Sequence, residues 1–166
     1  LQAGGSIKAA WSVDVQGDVH AQELRTGWEL RCGGQVELQG GALIGQDVQV
    51  QGGLRCGKGL RAGDGIAVQG LLDVGNGIAT GADLDCGNHI QAGWGILARG
   101  DIRAACSIRT GETLQAEGEI SAGPGYGVFA GMNVQMEAWA DCAWVRALRK
   151  PQGLVSGHWD GATLAA

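Results

Sequence analysis

Large aliphatic residues recur along this chain every six positions, each followed two residues later by a small or apolar one. The marks fall at Leu24, Leu30, Val36, Ala42, Val48, Leu54, Leu60, Ile66 and Leu72, then at Ile78, Leu84, Ile90, Ile96, Ile102, Ile108, Leu114, Ile120, Tyr126 and Met132. Before Leu24 the series runs Leu1, Ile7, Val13 and Val19, with one five-residue step between Val19 and Leu24. Within each hexad the third position is small or apolar, as in Ala9, Thr26, Cys32, Val50, Cys56, Ala62, Val68, Thr80, Cys86, Ala92 and Ala104. The second is mostly polar, as in Arg25, Arg31, Arg55, Arg61, Asp73, Asp85, Arg103 and Arg109. Side chains alternate across a strand, so positions one and three share an inward face and position two points out. The fourth position is Gly in 11 of the 19 hexads from Leu24 onward. A corner that turns the chain sharply, in places with positive φ, favours a residue without Cβ. Each hexad therefore predicts one short strand and one bend.

A three-residue strand cannot bury its apolar face alone. Three hexads close a triangular turn of 18 residues, and successive turns stack as parallel strands about 4.8 Å apart. The pattern thus predicts an all-β fold, a single parallel β-helix of seven to eight turns. One inward ladder is expected to run Leu24, Ala42, Leu60, Ile78, Ile96, Leu114, Met132, and Cys32 and Cys86 share a column. The repeat is expected over residues 1–136, with 137–166 a C-terminal capping segment of the same domain. An open solenoid end exposes strand edges and an apolar cross-section. The alternating runs Ala143 to Leu148 and Leu154 to Trp159 read as antiparallel strands or a hairpin. The other end begins directly on a hexad at Leu1, which leaves room for further residues, another domain or end-to-end self-association.

Composition refines this picture. Gly is abundant, at 32 residues, but no Gly-X-Y period exists, and 45% hydrophobic residues exceed what a disordered linker carries. The formal charge of −5 argues against a nucleic-acid or anionic-membrane partner and is compatible with a basic protein. No apolar run is long enough for a membrane span. Five irregularly spaced cysteines without a Cys-x-x-Cys predict a reducing compartment, the cytoplasm, rather than a disulfide framework.

Candidate chemistry is sparse. His20, His89 and His158 are the only histidines. His89 sits at a corner where a solenoid acyltransferase would keep its base, but no loop excursion shapes an acceptor pocket, so a solvated histidine is expected. Cys32, Cys56 and Cys86 read as small buried hydrophobes; Cys106 and Cys142 lack a His/Asp partner pattern. No metal-ligand spacing and no cofactor motif is present. Inward-pointing Thr26, Thr80 and Thr110 exclude an ice-binding face. The arginine pairs Arg25/Arg31, Arg55/Arg61 and Arg103/Arg109 read as solvated, with acidic residues expected to interrupt every face. Trp28 and Trp94 are outward and hint at a partner site.

Two resemblances follow. The segment Val13-Asp14-Val15-Gln16-Gly17-Asp18-Val19 resembles the repeat grammar of bactofilins, which implies a right-handed winding and end-to-end polymerisation. The segments Ser6-Ile7-Lys8-Ala9, Ile90-Gln91-Ala92-Gly93-Trp94-Gly95-Ile96, Ile120-Ser121-Ala122-Gly123 and Tyr126-Gly127-Val128-Phe129-Ala130-Gly131 are similar to small Gly-rich bacterial repeat proteins. Those look like immunity partners of polymorphic or contact-dependent toxins. That resemblance implies a non-enzymatic protein that neutralises a toxin domain, such as a nuclease, in the bacterial cytoplasm. The contact is then expected on the aromatic C-terminal segment, at Tyr126, Phe129, Trp139, Asp141, Trp144, Trp159 and Asp160. A bactofilin-like scaffold is the alternative, and a hexapeptide acyltransferase a distant third.

Overall fold

A computed structural model describes residues 1–134 and 139–160. The boundary expected at Met136 lies outside the described residues.

Short strands recur along nearly the whole chain, and from Leu30 to Ile120 each opens on the aliphatic residue of a hexad. Every third strand joins the same sheet as far as Trp144–Arg146, after which the last two strands extend the third and first sheets alone, giving three parallel sheets of nine, seven and eight strands. The first sheet is built from Ser6–Ala9, Glu23–Thr26, Ala42–Ile44, Leu60–Ala62, Ile78–Thr80, Ile96–Ala98, Leu114–Ala116, Trp144–Arg146 and His158–Trp159. The second runs from Val13–Val15 to Ile120–Ser121, and the third from Val19–Ala21 to Leu154–Ser156. In register, Leu60 pairs with Ile78 and Ile78 with Ile96, one turn of 18 residues each time. The five-residue step shortens the first turn, so Ile7 pairs with Leu24 and Val13 with Leu30. The chain is a parallel β-solenoid.

The core lies between the sheets. Leu24, Leu30, Leu54, Leu60, Ile66, Leu72, Ile78, Leu84, Ile90, Ile96 and Ile102 are buried and form one continuous cluster. Burying each such side chain contributes about 1.5–3 kcal/mol. The small third-position residues keep the walls close enough to exclude water. The inward threonines satisfy their hydroxyls on backbone: Thr26 donates to Trp28 O at 3.2 Å, Thr110 to Glu112 O at 3.1 Å, and Thr80 to Asp64 O. Cys32 and Cys86 stand in one column, separated by Val50 and Val68, and their thiols donate to Gly17 O and Gly70 O.

Three expectations are corrected. First, the hexad count slips after Ile120. Tyr126 and Met132 are 47% and 54% exposed, and it is Val128 that pairs with Ile108 and Val145 that continues the ladder above Leu114. The cause is a tight turn at Gly123-Pro124-Gly125-Tyr126, closed by Tyr126 N–H to Gly123 O at 3.0 Å, with φ +80° at Gly125. It adds two residues to the corner. Second, the C-terminal runs make no antiparallel hairpin. Trp144–Arg146 and His158–Trp159 extend the first sheet in parallel, and Leu154–Ser156 extends the third. Each continues a strand edge that already offers parallel hydrogen-bonding groups. Third, no described glycine before Gly125 has positive φ. The fourth-position glycines are required by close approach instead. A Cβ on Gly63 would land on the carbonyl oxygen of Gly45, and one on Gly81 on that of Gly63.

Candidate functional site

The C-terminal strands carry most of the residues expected at a partner site. In Trp144–Arg146 the inward residue is Val145, fully buried above Leu114. Alternation then sends Trp144 and Arg146 outward together. The Arg146 guanidinium lies 3.8 Å from the centroid of the Trp144 ring. Its Nε donates to Asp160 Oδ2 at 2.9 Å, and its Nη2 is ion-paired to the same oxygen at 2.9 Å. Asp160 is held in turn by its backbone N–H on Val145 O at 3.0 Å. Trp144, Arg146 and Asp160 therefore form one fixed unit on the first sheet, an aromatic plane sandwiched with a cation whose charge is met by a carboxylate.

The other expected residues go elsewhere. Trp159 pairs with Val145, is half-buried and packs against the core. Trp139 opens the helical turn Trp139–Cys142 and accepts Ala143 N–H at 2.8 Å. Asp141 belongs to the same turn, and its side chain lies outside the described residues. Phe129 is half-buried on the third sheet, 5.4 Å from the Arg109 guanidinium. Tyr126 lies exposed beyond the corner between the second and third sheets, its ring edge-on to His89 at 5.6 Å. A hydrogen bond with the Cys106 thiol, reinforced by repulsion from that thiol's charged form, pushes the Tyr126 phenol above its usual pKa. The seven expected residues thus divide between the end of the first sheet and the third-sheet side.

Around Tyr126, His89 Nδ1 faces Ser107 Oγ at 2.7 Å and accepts Ser107 N–H at 3.2 Å. A nitrogen that accepts a backbone N–H is the unprotonated one, so the ring proton of a neutral His89 sits on Nε2. Ser107 is buried, and Cys86 donates to the His89 carbonyl. The group is a packed corner. His20 instead reaches across one turn to Glu37 at 3.5 Å, and His158 lies exposed on the last strand of the first sheet.

Sequence reasoning missed an acidic ladder at the corner between the first and second sheets. Glu29, Asp47, Asp83, Asp101 and Glu119 occupy the sixth hexad position there, interrupted by Gly65. Three of the five carboxylates are fixed by backbone: Asp47 Oδ1 accepts Gly65 N–H at 3.0 Å, Asp83 Oδ1 accepts Asp101 N–H at 2.7 Å, and Asp101 Oδ1 accepts Glu119 N–H at 2.8 Å. Arg103 spans Asp83, Asp85 and Asp101, and Arg149 reaches Glu119 at 3.5 Å. A shallow acidic groove of about 240 Å³ lies beside the ladder, between Asp47, Asp64, Asp83 and Asp85. The signal was legible as Asp or Glu recurring at one hexad position every third hexad.

Fold and surface define a three-faced parallel β-solenoid with an acidic corner and an aromatic C-terminal end. Comparison with protein-family models, with curated proteins and with solved structures gives no match. Among the described residues no helix is long and apolar enough to cross a membrane, and no three metal-ligating side chains come together.

Proposed function

We propose that this chain is a binding protein without chemistry of its own, an immunity protein that docks on a toxin domain and blocks it in the bacterial cytoplasm. The acidic ladder carries the reading. Three of its five carboxylates, those of Asp47, Asp83 and Asp101, are held in place by backbone N–H groups before any partner arrives, so little side-chain freedom is lost there on binding. A rigid acidic edge steers and orients a domain that is basic where it grips nucleic acid. The repeat grammar, similar to that of toxin-immunity proteins, points the same way. Trp144, with Asp160 beside it, and Tyr126 supply the aromatic anchors that interfaces concentrate their energy on.

The test is capture from the native bacterium with the tagged chain, followed by mass spectrometry and particle sizing of the eluate. A one-to-one complex with a small basic domain whose activity falls on binding supports the proposal. Recovery of this chain alone as long polymers overturns it in favour of a bactofilin-like scaffold. Trp144→Ser with Tyr126→Ser then tests the anchors, since Trp159 packs on the core and its loss would confound folding with binding. Binding unchanged in that folded double variant removes the C-terminal placement.

A further inference from the structure

The three outer faces differ in a way that the net charge conceals. On the first sheet the outward residues of successive strands are Lys8, Arg25, Leu43, Arg61, Ala79, Leu97, Gln115 and Arg146, aligned by the pairing register. From Lys8 to Gln115 no carboxylate stands in this column, contrary to the expectation that acidic residues interrupt every face; the first acid is Asp160, against Arg146 at the far end. Among the described residues Lys8, Arg25, Arg61 and the neighbouring Arg99 make no ion pair, whereas on the other two sheets Arg31, Arg55 and Arg103 do and Arg109 lies over the Phe129 ring.

Exposed apolar side chains follow the same division. Between Ser6 and Ser121 the large exposed ones are Trp11, Trp28, Leu43, Trp94 and Leu97. Leu43 and Leu97 lie on the first sheet. Trp11 and Trp28 flank it at one corner, their rings 5.7 Å apart, and Trp94 flanks it at the other, just before strand Ile96–Ala98. The face between them holds a groove of about 610 Å³ lined by Leu43, Arg61, Ala79, Leu97, Arg99 and the bare backbone at Gly63.

We infer that the outer face of the first sheet is a docking surface for an acidic, amphipathic segment of a partner protein. Leu43 and Leu97 are three turns apart, about 14 Å at the parallel-strand spacing, which a helix of about 10 residues spans. Apolar side chains of the segment would cover the two leucines over Ala79, and its carboxylates would meet Arg25, Arg61 and Arg99. Charge excludes a second copy laid face to face, because the unpaired arginines of both copies would oppose one another. A nucleic acid would leave the leucines unmatched and run its phosphates beside the acidic ladder. This inference stands apart from the toxin reading, which concerns a basic partner at the acidic corner and the C-terminal end.

The probe is a synthetic 18-residue amphipathic helix with Leu on one face and Glu on the other, titrated into protein with methyl-labelled leucines. The expected result is movement of the Leu43 and Leu97 methyl resonances, with affinity lowered about tenfold or more by Arg61→Glu or by Leu97→Ser and falling as salt screens the arginines. All of these substitutions are on outward positions, and the salt titration uses the unaltered chain, so the reading does not hang on one variant. The inference is overturned if the methyls stay in place, or if the Lys counterpart of the peptide binds as well. It is equally overturned if a Glu/Ala peptide without leucines binds as tightly, which is mere charge adsorption. Broadening of the same methyls with protein concentration alone, or tighter binding of a single-stranded oligonucleotide there, also overturns it. Neither result bears on whether a toxin binds at the C-terminal end.

Discussion

Replacing Gly63 by Ala tests the physical reason for the glycine pattern. The new Cβ would sit on the carbonyl oxygen of Gly45, one turn away, and that neighbour is backbone. Relief requires moving the two corners apart. The corner is tied by Gly63 N–H to Ile44 O at 2.9 Å and by Asp64 N–H to Gln46 O at 3.2 Å, each worth about 1 kcal/mol net. Overpacking of a rigid site costs about 1–3 kcal/mol, so a loss of about 2–3 kcal/mol is expected. Gly59 supplies the control. It lies on the other corner of the same strand, Leu60–Ala62, its φ is not in the left-handed region, and an added Cβ would meet only Gly77 O at 3.6 Å, ordinary contact. There Ala restricts the unfolded chain and stabilises by about 0.4–1 kcal/mol. The assay is urea denaturation of the two variants and the parent with matched slopes; a gap of about 3 kcal/mol separates the variants' midpoints by roughly 1–3 M at typical slopes of about 1–3 kcal/mol per M. Coincident midpoints would refute the steric account and return the glycines to a purely conformational role.

Two further perturbations address the core. Burial pushes the Cys56 thiol up from 9.0 to about 12, with a smaller contribution from the Asp73 charge. Above pH 9 the unfolded chain loses that proton while the folded chain keeps it, so its contribution to stability is complete below pH 9 and is lost as pH rises from 9 to 12, at about 1.4 kcal/mol per pH unit. Cys56→Val, which matches Val74 one turn on, is expected to flatten stability against pH between 9 and 11; an unchanged slope in urea titrations at those pH values counts against it. Ile78→Ala, between Leu60 and Ile96 in the first-sheet ladder, is expected to cost about 2–5 kcal/mol, while Leu43→Ser on the outside of the same sheet stays within about 0.5 kcal/mol. Calorimetric melting distinguishes the two, and equal losses would place Leu43 in the core.

The regular part of this fold was readable because one rule, aliphatic in and polar out at a period of six, is imposed on nearly every residue from Leu24 to Ile120. Where a different rule takes over, counting fails. Tyr126 is apolar and sits where the sixth residue should be, so it passes for an inward position; only the Pro124-Gly125 pair, with its positive-φ glycine, reports that the corner has grown. The same slip carried Met132 into a ladder that Val145 in fact occupies. No local feature announces that partner, because the intervening helical turn separates it from Leu114 by 31 residues rather than 18. Of the expected site, Trp144 and Asp160 come together, through the Arg146 guanidinium that stacks on one and is bound by the other.

The acidic corner shows why composition hid the surface. Stacking like charges one turn apart is destabilising by itself, so a column of Glu29, Asp47, Asp83, Asp101 and Glu119 requires compensation. It has two sources. Three of the carboxylates accept backbone N–H groups that corner geometry would otherwise leave to water, and Arg103 and Arg149 place cations against the end where the acids are uninterrupted. The acids thereby draw Arg31, Arg103 and Arg149 to their own corner. Among the described residues Arg25, Arg61 and Arg99 make no ion pair and stay bare around Leu43 and Leu97, while Arg146 at the far end of the same sheet is met by Asp160. A net charge of −5 therefore conceals an acidic corner that borders a face whose arginines are bare around Leu43 and Leu97, and a partner meets one sign or the other according to whether it seats on the corner or on the face.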